Sequence, residues 1–210
     1  AFVDFICIFS LFHFNADKGE MYLLYNFCAF GLQFPVGLVA DLFRAHIKFS
    51  SLGCFLIALA FPMIGISPIF ACVAAGIGNS CFHIGGGVTV MRAFPQKMAP
   101  LGIFVSPGAI GVFLAMAAVP WKSIFLWSCP VVMLIAAGFF FYLGMKEEPK
   151  EIFPGASLKK IRRMAGVAIV LLFLAVVFRS YFGLILVFPR KSGFVLPFLF
   201  IIGCNIRPNN

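Results

Sequence analysis

Charge is what this sequence has least of. Only 11% of its 210 residues are Asp, Glu, Lys or Arg, while 62% are hydrophobic; a soluble domain carries about a quarter charged and about half apolar residues. That shortage excludes an ordinary water-soluble fold. C-x-x-C is missing as well. The seven cysteines (Cys7, Cys28, Cys54, Cys72, Cys81, Cys129 and Cys204) are scattered, nearly all in apolar runs, which excludes a metal or disulfide framework and leaves them as small buried hydrophobes. There is no H-E-x-x-H, no G-x-S-x-G and no pair of membrane aspartates at matching depths, and Ser80 and His83, three residues apart, do not orient a nucleophile and base. The reading is therefore not an enzyme, with no metal and no cofactor.

The charge that is present is unevenly placed. The formal net charge is +9, yet the basic residues sit in short breaks between apolar runs and form no face interleaved with aromatics, which excludes nucleic-acid binding. Several apolar runs reach 18 residues without charge, the length of a membrane-crossing helix. The fold class expected is all-α, a polytopic membrane helical bundle. The chain opens at Ala1 inside an apolar run without a charged leader, so no signal peptide is expected and the chain reads as a fragment.

Seven apolar segments can be drawn: up to Asn15, then Met21 to Ala40, Ile47 to Ile64, Ser67 to Met91, Pro100 to Val119, Trp121 to Gly144 and Met164 to Phe188. The breaks after the first, third and fifth segments hold two Lys/Arg, Lys18 and Lys122; the other three hold ten. The basic group belongs on the cytoplasmic side of a cell (inner or plasma) membrane, so the first segment runs from inside to outside. KEEPKEIFPGASLKKIRR, with its prolines and charge, divides the chain into three parts. These are a six-helix bundle over 1–145, a cytoplasmic linker over 146–163, and 164–210 with one further helix and an irregular tail. After Phe188 the pattern fails, which fits an incomplete eighth segment, a truncation or a shifted reading frame.

Polar groups inside the apolar runs cost about 2.5–3.5 kcal/mol each to insert when charged, so each needs a reason. At 1.5 Å per helical residue, Asp4 lies roughly 16 Å below the outer surface, His83 roughly 14 Å above the inner one and Arg179 about 15 Å from the outside, all near the middle of a core about 30 Å thick. In GNSCFHIGGG, Asn79 and His83 are spaced i, i+4 and share a helix face. A carboxylate, an imidazole, an amide and a guanidinium at one depth can load and release a proton as their surroundings change; the bland alternative is interhelical hydrogen-bond glue. Gly76, Gly78 and Gly85 to Gly87 read as close-packing positions, and Pro107 in VSPGAIG reads as a kink in the fifth segment.

GLVADLFR, between the second and third segments, resembles the loop signature of the major facilitator superfamily. Gly37 and Asp41 match it; Leu42, Arg44, Ala45 and His46 depart, with Arg44 and Lys48 as displaced basic residues. FVDF, GNSCFH, FVSPGAIG and FRSYFGL are similar to stretches of the fosmidomycin-resistance-type branch. The resemblance covers residues 1 to 188 and implies twelve helices in two six-helix bundles, each of two inverted three-helix repeats, with substrate bound at the midplane between them. It implies that Gly37, Asp41 and Arg44 are gate elements, that Asp4, His83, Asn79 and Arg179 line the cavity, and that a C-terminal bundle of the same protein is a missing partner. The function expected is a proton-coupled secondary transporter of a small organic molecule. The alternative is a seven-helix receptor or scaffold; a retinal-type sensor is excluded because Lys159 and Lys160 precede the seventh segment.

Overall fold

The computed structural model describes residues 2–14, 18–117 and 122–146, with 166, 170, 171 and 174. Most of the linker and of the seventh segment, with Arg179 and the tail, lies outside the described residues. Among the described residues all regular structure is helical and there is no strand. This is the economical solution for such apolar sequence, because a helix satisfies its own backbone polar groups where water cannot. The elements are α1 (Phe2–Phe14), α2 (Lys18–Asn26), a π-helical turn (Phe27–Gly31), α3 (Gln33–Phe43), α4 (His46–Ile64), α5 (Pro68–Ala93), α6 (Ala99–Val105), α7 (Pro107–Ala117) and α8 (Lys122–Met145).

Four helical stretches are long and apolar enough to cross a membrane: Glu20–Phe43, His46–Ile64, Pro68–Ala93 and Ser123–Met145. Phe2–Leu11 and Ala99–Ala115 are shorter apolar helices. The chain is a multi-pass membrane protein, and its helices coincide with the first six segments drawn from hydropathy.

Two of the six segments are interrupted. In the fifth, the single residue Ser106 separates α6 from α7, and its own backbone keeps helical angles (φ −57°, ψ −37°); the proline that follows it has no N–H to continue the ladder. The interruption falls at the proline singled out from the sequence, with the backbone still helical on both sides of it. The second segment reads as continuous in the sequence, but a π turn separates α2 from α3. Two amides flank this widened turn: Asn26 Nδ2 donates to Tyr22 O (2.8 Å) and Gln33 Nε2 to Ala29 O (3.0 Å). They supply donors to carbonyls at the point where the regular ladder is disturbed.

The tightest packing joins α4 and α5. A Cβ on Gly53 would lie 2.5 Å from Gly78 O, and one on Gly78 would lie 2.7 Å from Gly53 O. Seven residues along α5, a Cβ on Gly85 would run into the His46 carbonyl and the Ser50 backbone. The two backbones touch, the arrangement small residues permit between membrane helices. α8 covers the other side of α4, where Ser51 Oγ donates to Ala137 O at 2.7 Å. α1 packs chiefly on α7, and the buried core around Ile6, Phe9, Ile57 and Met133 lies between these layers. α5 itself runs unbroken through its three consecutive glycines.

Candidate functional site

α1 carries FVDF into the bundle interior, so Asp4 arrives among buried neighbours with its side chain only 13% exposed. α5 brings the opposing group. His83 is 15% exposed, and its Nε2 lies 3.1 Å from Asp4 Oδ1. These residues are 79 positions apart in the chain, and helix rise alone places each of them at the same height. One proton lies between the two groups, on either the imidazole nitrogen or the carboxyl oxygen.

A second polar layer lies one helical turn away. Cys7 follows Asp4 by three residues and Asn79 precedes His83 by four, so both displacements lead toward the same end of the bundle. Here Asn79 Nδ2 donates to the Tyr25 hydroxyl in a short hydrogen bond. The Tyr25 hydroxyl also meets the Cys7 thiol, and that thiol lies 3.7 Å from Ala75 O. Tyr25 and Asn79 are almost completely buried, at 3% and 1% exposure. The layer ties the first, second and fourth spans together directly above the acid–base pair.

Helix break and ion pair coincide. The His83 ring meets Phe104 edge-on, with centroids 5.8 Å apart, and Phe104 is the penultimate residue of α6. Asp4 Oδ2 would lie 2.8 Å from a Cβ on Gly108, the second residue of α7. A side chain at this position would have to displace the end of the Asp4 side chain.

The gate residues fall at the turn between α3 and α4. Asp41 is held there at 2.8 Å, but by His46 Nε2 rather than by Arg44. Arg44 is exposed and occupies the left-handed C-cap of α3, at φ 50°, where its N–H caps the carbonyls of Ala40 and Asp41. Gly37 makes only ordinary contact, since a Cβ there would lie 4.0 Å from Ile84. Of the residues selected from sequence, the structure brings Asp4 and His83 into contact, gives Asn79 a partner in Tyr25, and sets Asp41 apart at the turn. Arg179 lies outside the described residues.

Sequence reasoning does not select Tyr25, Cys7 or His46 for this site. The available signals are modest: a polar-tipped aromatic in the middle of an apolar span, and an Asp and a His five residues apart across a turn. Among the described residues no group of three or more His, Cys, Asp or Glu side chains is arranged to hold a metal ion. No family model, curated protein or solved structure matches the chain.

Proposed function

We propose that this chain is the N-terminal part of a proton-coupled secondary transporter of the major facilitator type. It carries a small organic solute across the cell membrane by alternating access. The single observation behind this reading is the Asp4–His83 pair: two ionisable groups from distant parts of the chain, joined inside the apolar bundle. Charge at such depth is costly unless it works, and an acid–base pair sharing a proton is the minimum equipment for coupling solute movement to a proton gradient.

One part of the packing order is compatible with this reading, although the close contact of the third and fourth spans has no counterpart of similar extent between the first and sixth. The first span packs on the fifth and the second on the fourth. An inverted three-helix repeat, which exchanges spans one with four and two with five, relates those two contacts to each other. On this reading Asp41, held by His46, serves as the latch of the cytoplasmic turn, and Arg179 joins the cavity from the following bundle.

Proteoliposomes loaded with a pH-reporting dye test the proposal. The full-length protein, with its second bundle, is challenged with a panel of small organic cations, anions and neutral solutes at opposed pH gradients. Wild-type protein moves protons together with at least one solute; Asp4→Asn inserts normally and loses that coupled movement. Arg179→Ala impairs coupled movement more than Lys122→Ala. Unchanged pH-dependent flux in Asp4→Asn removes the pair from the mechanism, and ligand-dependent partner binding without solute flux would mean a receptor instead.

A further inference from the structure

The third and sixth spans, α4 and α8, meet along a seam on the side of the bundle away from the acid–base pair. Ser51 Oγ donates to Ala137 O at 2.7 Å midway along it. At its basic end a Cβ on Gly144 would lie 2.8 Å from Lys48 Cγ. The aliphatic stem of Lys48 thus lies across the last turn of α8, and a side chain at position 144 would have to displace it. Lys48 is exposed, and among the described residues no carboxylate pairs with it. The neighbouring cation is engaged elsewhere: Lys146 Nζ stands 4.4 Å from the centroid of the Tyr142 ring.

Beyond Lys48 the open edge of the seam is apolar. Lys48, Leu52, Phe55 and Leu59 follow at intervals of four, three and four residues, which sets them on one face of α4, and all four are exposed. The facing edge of α8 carries Phe141, Gly138 and Leu134, at intervals of three and four and likewise exposed. A Cβ built on Gly138 would meet nothing within 4 Å, so this edge has a gap between two large side chains. Lys48 to Leu59 is a helical rise of about 16 Å, against about 15 Å for half of a hydrocarbon core. The seam is one leaflet deep, with a cation at its headgroup end.

We infer that the α4–α8 seam is a binding site for a phospholipid with an anionic headgroup. The phosphate rests on Lys48, and an acyl chain follows Leu52, Phe55 and Leu59 into the gap at Gly138. Charge selects the headgroup. The chain breaks at this end hold ten Lys/Arg, against Asp41, Glu147, Glu148 and Glu151, and each Lys or Arg near a membrane surface favours an anionic lipid by about fivefold. Shape selects the chain: Phe55 and Phe141 would hold a second helix off the seam, while a single flexible chain passes between them. Such a site requires only a membrane-embedded bundle, and is separate from the transport reading.

Native mass spectrometry of the full-length protein, titrated in detergent with phosphatidylglycerol or phosphatidylcholine of matched acyl chains, counts the bound lipid. Wild-type protein holds its first phosphatidylglycerol about fivefold more tightly than phosphatidylcholine, the preference expected of one lysine. Lys48→Gln removes that preference. Lys146→Gln, a change beside Tyr142 and off the seam, keeps it. Gly138→Leu fills the gap and lowers the retention of both lipids. Equal retention of the two headgroups by the wild type, or a preference that survives Lys48→Gln, overturns the anionic site. Unchanged retention in Gly138→Leu overturns the placement of the chain, and a dimer in place of bound lipid would make the seam an interface between copies instead.

Discussion

Two aspartate–histidine pairs organise this molecule, and they are built in opposite ways. Asp41 and His46 are five residues apart across the turn between α3 and α4. His46 is 1% exposed and Asp41 57% exposed, so water solvates the carboxylate and screens the pair. Asp4 and His83 come from α1 and α5, and both side chains are mostly withdrawn from solvent, at 13% and 15% exposure. The chemistry is the same; the surroundings decide what it can do. In the first pair the aspartate steadies a buried imidazole at the start of a helix. In the second, both partners sit between packed helices, where an unpaired charge is costly.

The comparison is sharpened by removing one carboxylate at a time. Asp4→Ala leaves His83 in an apolar interior without its partner, and a cost on the order of 3 kcal/mol is expected for breaking a buried pair. Steric-trap unfolding in bilayers measures it. His83→Ala combined with Asp4→Ala then costs clearly less than the sum of the two single changes, as required of groups in contact. Tyr25→Phe is expected to have the next largest effect, about 1–3 kcal/mol, because the Asn79 amide is left buried without its acceptor. Asp41→Ala is the smallest, about 1 kcal/mol, since the carboxylate is solvated although the buried His46 ring loses its partner. Equal losses for Asp4→Ala and Asp41→Ala would erase the distinction between the pairs.

Packing separates two regions in the same manner. Along α4 and α5 the backbones are in contact at Gly53, Gly78 and Gly85, and no side chain can be added without moving a helix. Around α6 and α7 the span is broken, and the acid–base pair touches it through single groups, Phe104 and Gly108. In the first region backbone meets backbone; in the second the acid–base pair meets the span through one aromatic ring and one glycine.

Much of this is legible in the chain. The helices follow the hydropathy, because a long uncharged run in lipid has few other ways to satisfy its backbone. The break at Ser106 is legible because Pro107 acts locally. Asp4 and His83 can be assigned to one depth, because helical rise turns sequence distance into height. The π turn at Phe27–Gly31 is not legible, since its residues are as apolar as their neighbours and only the backbone hydrogen bonds distinguish it. Arg44 reads as a gate cation in the sequence, but its left-handed backbone at the end of α3 is a matter of local geometry that its side-chain type does not announce.

Composition and spacing alone determined that this is a multi-helix membrane protein, where its first six apolar segments lie, and that Asp4 and His83 share one level. Only the tertiary structure decided which partner each group meets: His83 rather than another base for Asp4, His46 rather than Arg44 for Asp41, Tyr25 for Asn79. Depth is a one-dimensional quantity that each helix carries by itself. Partnership depends on how helices rotate and which ones adjoin, and that is settled by close contacts such as Gly78 on Gly53 between residues far apart in the chain.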